Sequence, residues 1–185
     1  MGTLRDREVE RLADVSRVLG FDEPTTRSMK SVFLALSESW GNLPAGNTPP
    51  WPSDVCDDQS PFEVSLALEE RGPQLRILVE PMDAPYSLAS NLTASLRLHP
   101  KLERLLDVNL SRLRTVEDLL LPPEPKGRFA AWYAVAFDRG HKPSVKGYFN
   151  LQVHGPTRAP QIAEEALHRL GFHQVWPTMA EVLGC

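Results

Sequence analysis

A chain of 185 residues with 42% apolar and 24% charged residues has the composition of one soluble globular domain with a real core. The net charge of −4 excludes the basic footprint typical of nucleic-acid binding, so no nucleic-acid partner is expected. No apolar run reaches the length of a membrane span, and Cys56 and Cys185 are too few for a disulfide framework. We therefore predict a cytoplasmic protein with no membrane partner.

Two amphipathic helices are predicted at the start of the chain. Residues 4–19 place apolar side chains at helical spacing with charges between them, and Gly20 is expected to end this helix. The second helix is expected after Asp22-Glu23-Pro24, with Thr25 or Thr26 as its cap. Its apolar stripe, which we expect to run up to Gly41, consists of Met29, Val32, Phe33, Leu36 and Trp40.

A β-hairpin is predicted after a loop rich in proline and glycine at residues 42–53. Alternation places the apolar side chains of the two strands on one face: Phe62, Val64, Leu66 and Leu68, then Leu75, Ile77 and Val79. The turn between them is expected at Arg71-Gly72-Pro73. If the apolar faces coincide, Glu63 and Arg76 share the opposite face, where a weak surface ion pair is the alternative interpretation.

The same order of elements recurs in the second half of the chain. Helices are predicted at residues 87–98, 101–120, 159–170 and 176–183, and strands at 129–137 and 144–152. Pro100 is expected to end the helix at 87–98 and so separate it from the helix at 101–120. This recurrence predicts a single α+β domain with repeat units at about 4–81 and 86–152 and the start of a third at 159–185.

The strand at residues 144–152 carries a second group of polar side chains. Alternation places Lys146, Tyr148, Asn150 and Gln152 on one face. A lysine offers a compact positive charge to a diphosphate, and a tyrosine can donate a hydrogen bond to a phosphate oxygen. An exposed strand with ordinary polar residues is the alternative.

Two motifs carry a resemblance to a known family. The sequence Asp57-Asp58-x-Ser60-Pro61-x-Glu63-x-Ser65, followed by Leu75-Arg76-x-x-x-Glu80-Pro81, resembles the first barrel hairpin of aromatic prenyltransferases of the tryptophan dimethylallyltransferase family. The pair Lys146-x-Tyr148 is similar to that family's diphosphate-binding pair. The resemblance implies half of an ABBA (PT-barrel) fold, with helix pairs outside an antiparallel sheet, because family members are about twice this long.

The resemblance also implies a reaction and a role for each matched residue. The implied enzyme transfers a dimethylallyl group from dimethylallyl diphosphate to tryptophan or a related indole, in secondary (alkaloid) metabolism, without a metal cofactor. Glu63 would be catalytic at the indole nitrogen, and the loop around Val55 would hold the amino-acid end of the acceptor. The diphosphate would be bound by Arg76, Lys146 and Tyr148.

Several positions depart from the family pattern or stay open. Residues 129–137 contain no lysine, unlike many fungal members, so the proton acceptor for the ring carbon is unassigned. Tyr133 or Trp132 is expected either to shape the aromatic pocket or to pack in the core. Asp57-Asp58 lacks the third aspartate of a magnesium motif, so no metal site is expected. The histidines show no ligand spacing and are expected at the surface: His99, His141, His154, His168 and His173.

The half-length resemblance leaves two alternatives to a working enzyme: a non-catalytic binding module and an inactive truncated remnant. A half barrel exposes two strand edges and an inner face, which proteins normally cover. A second copy or a separate C-terminal half is therefore an expected partner, besides the two substrates.

Overall fold

A computed structural model describes residues 2–46, 49–70 and 72–183. Arg71 of the predicted turn, residues 47–48 of the predicted loop and Cys185 lie outside the described residues. The helices are α1 (Leu4–Val18), α2 (Glu23–Leu36), α3 (Leu88–Leu106), α4 (Ser111–Arg114), α5 (Glu117–Leu120), α6 (Ala159–Arg169) and α7 (Trp176–Leu183). The strands are β1 (Phe62–Glu69), β2 (Gly72–Val79), β3 (Ala131–Asp138) and β4 (Ser144–Phe149). Short 3₁₀ turns span Leu151–His154, Pro156–Arg158 and His173–Val175.

The strands form one four-stranded antiparallel sheet in the order β1-β2-β3-β4, which confirms the predicted α+β class. One face of the sheet packs against the helices, and its core side chains come from alternate positions along the strands, as predicted for the first hairpin. The sheet supplies Phe62, Leu75, Ile77, Val79, Tyr133, Val135 and Phe137. The helices supply Leu12, Met29, Val32, Phe33, Leu36, Leu92, Leu98, Leu102 and Leu106.

The first two helices both begin at side-chain caps. Thr3 and Asp6 form a capping box at the start of α1. In α2 the Asp22 carboxylate accepts a hydrogen bond from the backbone N–H of Thr25 at 2.8 Å, so the prediction of a threonine cap was wrong. This helix also ends earlier than Gly41, at Leu36, and Trp40 is buried in the turns that follow.

Pro100 does not interrupt its helix, contrary to the prediction. The α3 helix continues through it to Leu106, since Leu98 and Leu102 on either side of the proline are both buried in the core. Asp107 then adopts a left-handed conformation with φ 50° and ends the helix. The predicted helix at 101–120 is therefore divided between the end of α3 and the short helices α4 and α5.

The edge strands are less regular than the pattern predicted. Asn150 and Gln152 do not continue β4, because the Asn150 side chain accepts the backbone N–H of Gln152 at 2.9 Å and turns the chain into a 3₁₀ helix. In β1, Leu66 is 47% exposed and Leu68 83% exposed, so only the first half of its apolar face reaches the core.

Within the described ranges, no helix has the length and apolar character needed to cross a membrane.

Candidate functional site

The sheet face away from the helices gathers the residues that the sequence singled out. We call it the free face; it is formed by Glu63, Ser65, Ala67, Gln74, Arg76, Leu78, Trp132, Ala134, Ala136, Asp138, Ser144, Lys146 and Tyr148. All four candidate side chains, those of Glu63, Arg76, Lys146 and Tyr148, belong to it. Asn150 and Gln152 do not, because β4 ends before them.

The register arranges the free face in rows that cross the strands. One row runs from Glu63 over Leu78 and Ala134 to Lys146. The next row contains Ser65, Arg76, Ala136 and Ser144. The β3 positions in both rows are alanines, so this central strand contributes only small side chains to the two rows.

Arg76 is held away from Glu63. Its guanidinium contacts the Glu69 carboxylate at 3.2 Å and also donates to the side-chain oxygen of Gln74. Gln74 in turn donates to Asp138 at 3.0 Å. The Arg76 side chain is 38% exposed and its partner Glu69 is also exposed, so Arg76 can contact an anion above the face without disrupting a buried ion pair.

Lys146 and Tyr148 are both exposed on the edge strand β4. Tyr148 lies opposite Trp132, whose indole stacks on the Phe129 ring with centroids 4.1 Å apart. The free face is thus bounded by aromatic side chains at one end and by the polar group around Arg76 at the other. Aromatic faces can shield a carbocation, and exposed cations can neutralise a leaving diphosphate.

Trp132 and Tyr133 point to opposite sides of the sheet. Only Trp132 can shape a site on the free face, whereas Tyr133 is buried on the helix side. The Tyr133 hydroxyl lies 2.6 Å from Nε2 of His99, and Nδ1 of His99 lies 3.0 Å from a carboxylate oxygen of Glu117. The prediction that His99 lies at the surface was therefore wrong, because the buried tyrosine and the glutamate together satisfy its ring.

Burial is the main cause of the pKa shifts of His99 and Tyr133. It raises the pKa of Tyr133 well above the ordinary range, so its hydroxyl stays protonated. Burial also lowers the pKa of His99, and the nearby Glu117 carboxylate only partly opposes this effect. His99 is therefore a neutral partner of Tyr133 at pH 7.

The loop before β1 is attached to the end of β2, because the Ser53 hydroxyl donates to the Glu80 carboxylate at 2.6 Å. Val55 is buried, and its backbone N–H donates to the Ser53 hydroxyl at 3.3 Å. Asp58 accepts the backbone N–H of Ser60 at 2.9 Å, and the Ser60 side chain, followed by this backbone contact, lowers the pKa of the Asp58 carboxyl. The described residues include no group of three or more His, Cys, Asp or Glu side chains placed to hold a metal ion.

The fold and the free face define a half of a prenyltransferase barrel, and the comparisons agree. The family model for tryptophan dimethylallyltransferase matches residues 32–183. Among solved structures, 5-dimethylallyl tryptophan synthase from Streptomyces coelicolor, in complex with DMASPP and Trp, is 32% identical with a TM-score of 0.85. The alignment covers 95% of this chain and 50% of that one.

Two further tryptophan prenyltransferases are similar to the chain. The prenyltransferase PriB, in a ternary complex with L-tryptophan and dimethylallyl thiolodiphosphate, is 34% identical with a TM-score of 0.85, over 95% of this chain and 50% of that one. The 6-dimethylallyltryptophan synthase from Micromonospora olivasterospora, in complex with DMASPP and Trp, is 34% identical with a TM-score of 0.84, over 92% and 48%. The chain belongs to the tryptophan dimethylallyltransferase family, and it spans about half the length of these relatives.

Proposed function

We propose that the chain forms the N-terminal half of an aromatic prenyltransferase that transfers a dimethylallyl group to tryptophan or a related indole in secondary metabolism. The proposal rests on one observation: Glu63, Arg76, Lys146 and Tyr148 all lie on the same face of the sheet, opposite the helices. Similar chains that share this fold were solved with tryptophan and a dimethylallyl diphosphate analogue.

The proposed chemistry begins with loss of diphosphate. The bond between the allylic carbon and oxygen breaks, and the diphosphate leaves with the electron pair. Arg76, Lys146 and Tyr148 stabilise the developing negative charge, while aromatic side chains such as Trp132 shield the allylic cation.

The acceptor then attacks through a ring carbon to form the new carbon–carbon bond. Glu63 accepts the hydrogen bond of the indole N–H, which raises the electron density of the ring. The ring carbon afterwards loses its proton to a base that the described half of the barrel does not identify. We expect no metal requirement, because the diphosphate charge is met by side chains.

We propose that activity requires the other half of the barrel. In the described part of the chain, β1 pairs only with β2 and β4 only with β3, so both edges of the sheet are open. The occupant that fits is the segment corresponding to the unmatched half of the relatives, in the same polypeptide or a separate one. A second copy of the chain is the competing assembly.

Fusion of the two halves tests this function. The chain is joined by a flexible linker to the half of the Streptomyces coelicolor enzyme that it does not match, and products from tryptophan and dimethylallyl diphosphate are identified by mass spectrometry. We expect dimethylallyl tryptophan from the fusion and none from either half. Binding of both substrates without product would instead support a binding module, and a folded fusion that binds neither substrate would support a remnant.

A further inference from the structure

Glu80 is a buried carboxyl at the edge of the candidate site. It follows β2 directly, and its backbone N–H donates to the carbonyl of Pro61 at 2.8 Å, which extends the pairing of β1 and β2 by one residue. Strand alternation places it in line with Arg76 and Leu78 of the free face. Its side chain is nevertheless sealed, since the residue is 1% exposed.

The seal is a polar cluster drawn from separate parts of the chain. The Ser53 hydroxyl donates to Oε2 of Glu80 at 2.6 Å, and Nδ2 of Asn91, in α3, donates to Oε1 at 3.4 Å. Ser53 and Asn91 are themselves 2% and 1% exposed. A buried carboxyl with these partners is costly to disturb, because removing it leaves polar groups unpaired.

Trp132 contributes to the same cluster from β3. Its indole N–H is buried, makes no hydrogen bond of normal geometry within the described residues, and faces the Glu80 carboxylate. Burial raises the pKa of Glu80, and the hydrogen bonds from Ser53 and Asn91, together with the nearby Trp132 indole, oppose this only in part. Glu80 therefore lies next to Trp132 of the free face and also contacts the loop before β1.

The contact with Ser53 is relayed to Val55. The Ser53 hydroxyl that donates to Glu80 also accepts the backbone N–H of Val55 at 3.3 Å. The loop is closed by the backbone N–H of Ser53 on the carbonyl of Gln59 at 3.2 Å, and by that of Gln59 on the carbonyl of Cys56 at 2.9 Å. The Ser53 side chain thus links the end of β2, through Glu80, to the loop around Val55.

We infer that Glu80 is a positioning residue, which fixes the loop at residues 53–59 through Ser53 so that the backbone around Val55 can hold the amino-acid end of the acceptor. Glu80 acts through Ser53 and does not touch the acceptor, because it is sealed from the free face. This inference rests on the proposed function, which places the acceptor beside Glu63 and this loop.

The test compares two acceptors in the fused protein described above. Ser53→Ala removes the link while leaving the strands intact, and Glu80→Gln keeps the shape of the carboxyl. Ser60→Ala is the matched control, because Ser60 directly follows the loop and its hydroxyl donates instead to the carbonyl of Phe62. Each variant is assayed with tryptophan and with 3-methylindole, which lacks the amino and carboxyl groups.

A positioning role predicts a selective effect on KM. Ser53→Ala should raise KM for tryptophan roughly threefold to tenfold, the loss of about one hydrogen bond, and leave KM for 3-methylindole and for dimethylallyl diphosphate unchanged. Glu80→Gln should move KM in the same direction by less, and Ser60→Ala should not move it. Equal losses with both acceptors, or no change in KM for tryptophan, would overturn the inference.

A second measurement keeps this result separate from the proposed function. If the wild-type fusion makes no product, the proposed function fails, and amide hydrogen exchange still reports on the loop. The Val55 amide should exchange faster in Ser53→Ala and Glu80→Gln than in wild type or Ser60→Ala, with β2 and β3 amides unchanged. Unchanged exchange at Val55 would contradict the link between Glu80 and the loop.

Discussion

Glu63 and Lys146 stand at the two ends of one row that crosses the whole free face. Leu78 and Ala134 lie between them, one on each central strand. With neighbouring strands about 4.8 Å apart, the two backbones are separated by roughly 14 Å. In the proposed reaction this span would hold two ligands side by side, with the indole next to Glu63 and the diphosphate next to Lys146.

The separation predicts that acceptor activation and diphosphate binding can be lost independently. Glu63→Gln removes the charge and keeps the shape, so in the fused protein it should abolish transfer while leaving affinity for DMASPP nearly unchanged. The measurements are product formation and calorimetric titration. Glu70→Gln is the control, since Glu70 is exposed beyond the end of β1. Loss of DMASPP binding in Glu63→Gln would contradict the assignment.

Transfer should not depend on a metal ion. The Asp58 carboxylate accepts the backbone N–H of Ser60, a contact within the loop that needs no cation. We expect the rate of the fused protein to be the same before and after exhaustive dialysis against a chelator. A rate that falls on chelation and returns with Mg²⁺ would show that the acidic pair, or another group, binds a catalytic ion.

His99 should make stability depend on pH. Burial lowers its pKa below the ordinary value of 6.5, so the unfolded chain binds the proton more tightly than the folded one. The stability that neutral His99 contributes is present above that ordinary value and is lost as the pH falls through the lower folded value. We expect the melting temperature to fall less between about pH 7 and pH 5 in His99→Gln than in wild type.

The comparison between the two proteins isolates this one group. Glu80 has a raised pKa and the opposite sign, since the stability from its protonated form is lost as the pH rises, but it is present in both proteins. An exposed histidine, as in His141→Gln, provides the control. Identical pH profiles for wild type and His99→Gln would contradict the account of a buried neutral ring.

The sheet was predictable because its signals are local and redundant. Alternation in β1 and β2 fixes which side chains share a face, and a shift of one residue would have put Lys146 or Arg76 under the helices. The continuation of α3 through Pro100 was not predictable, because packing of Leu98 and Leu102 outweighs the local cost of the proline.

Contacts between distant segments could not be obtained from the pattern. His99 pairs with Glu117 and Tyr133, and Glu80 pairs with Ser53 and Asn91, across separations that periodicity does not encode. Glu80 belongs to the first motif, but the sequence predicted no role for it. Its burial depends on the loop that folds over it and on α3, which periodicity does not encode.

The 185-residue chain by itself should associate. Its free face is uncovered, both edge strands are unpaired within the described residues, and the exposed side chains include Leu66, Leu68 and Tyr148. Sedimentation velocity should show a weight-average mass that rises with concentration, and fusion to the complementary half should abolish this. A monodisperse monomer at high concentration would indicate that the face needs no cover.

Binding of a diphosphate to the free face is the central claim, and calorimetric titration of the fused protein with DMASPP tests it most directly. Lys146→Ala should weaken binding by about 1.5–3 kcal/mol, because it removes a charge-assisted contact. Lys142→Ala is the matched control, since Lys142 pairs with Asp107 at 2.7 Å, away from the free face. The account predicts tight binding by wild type and Lys142→Ala and at least tenfold weaker binding by Lys146→Ala. No binding by wild type, or equal binding by all three proteins, would contradict it.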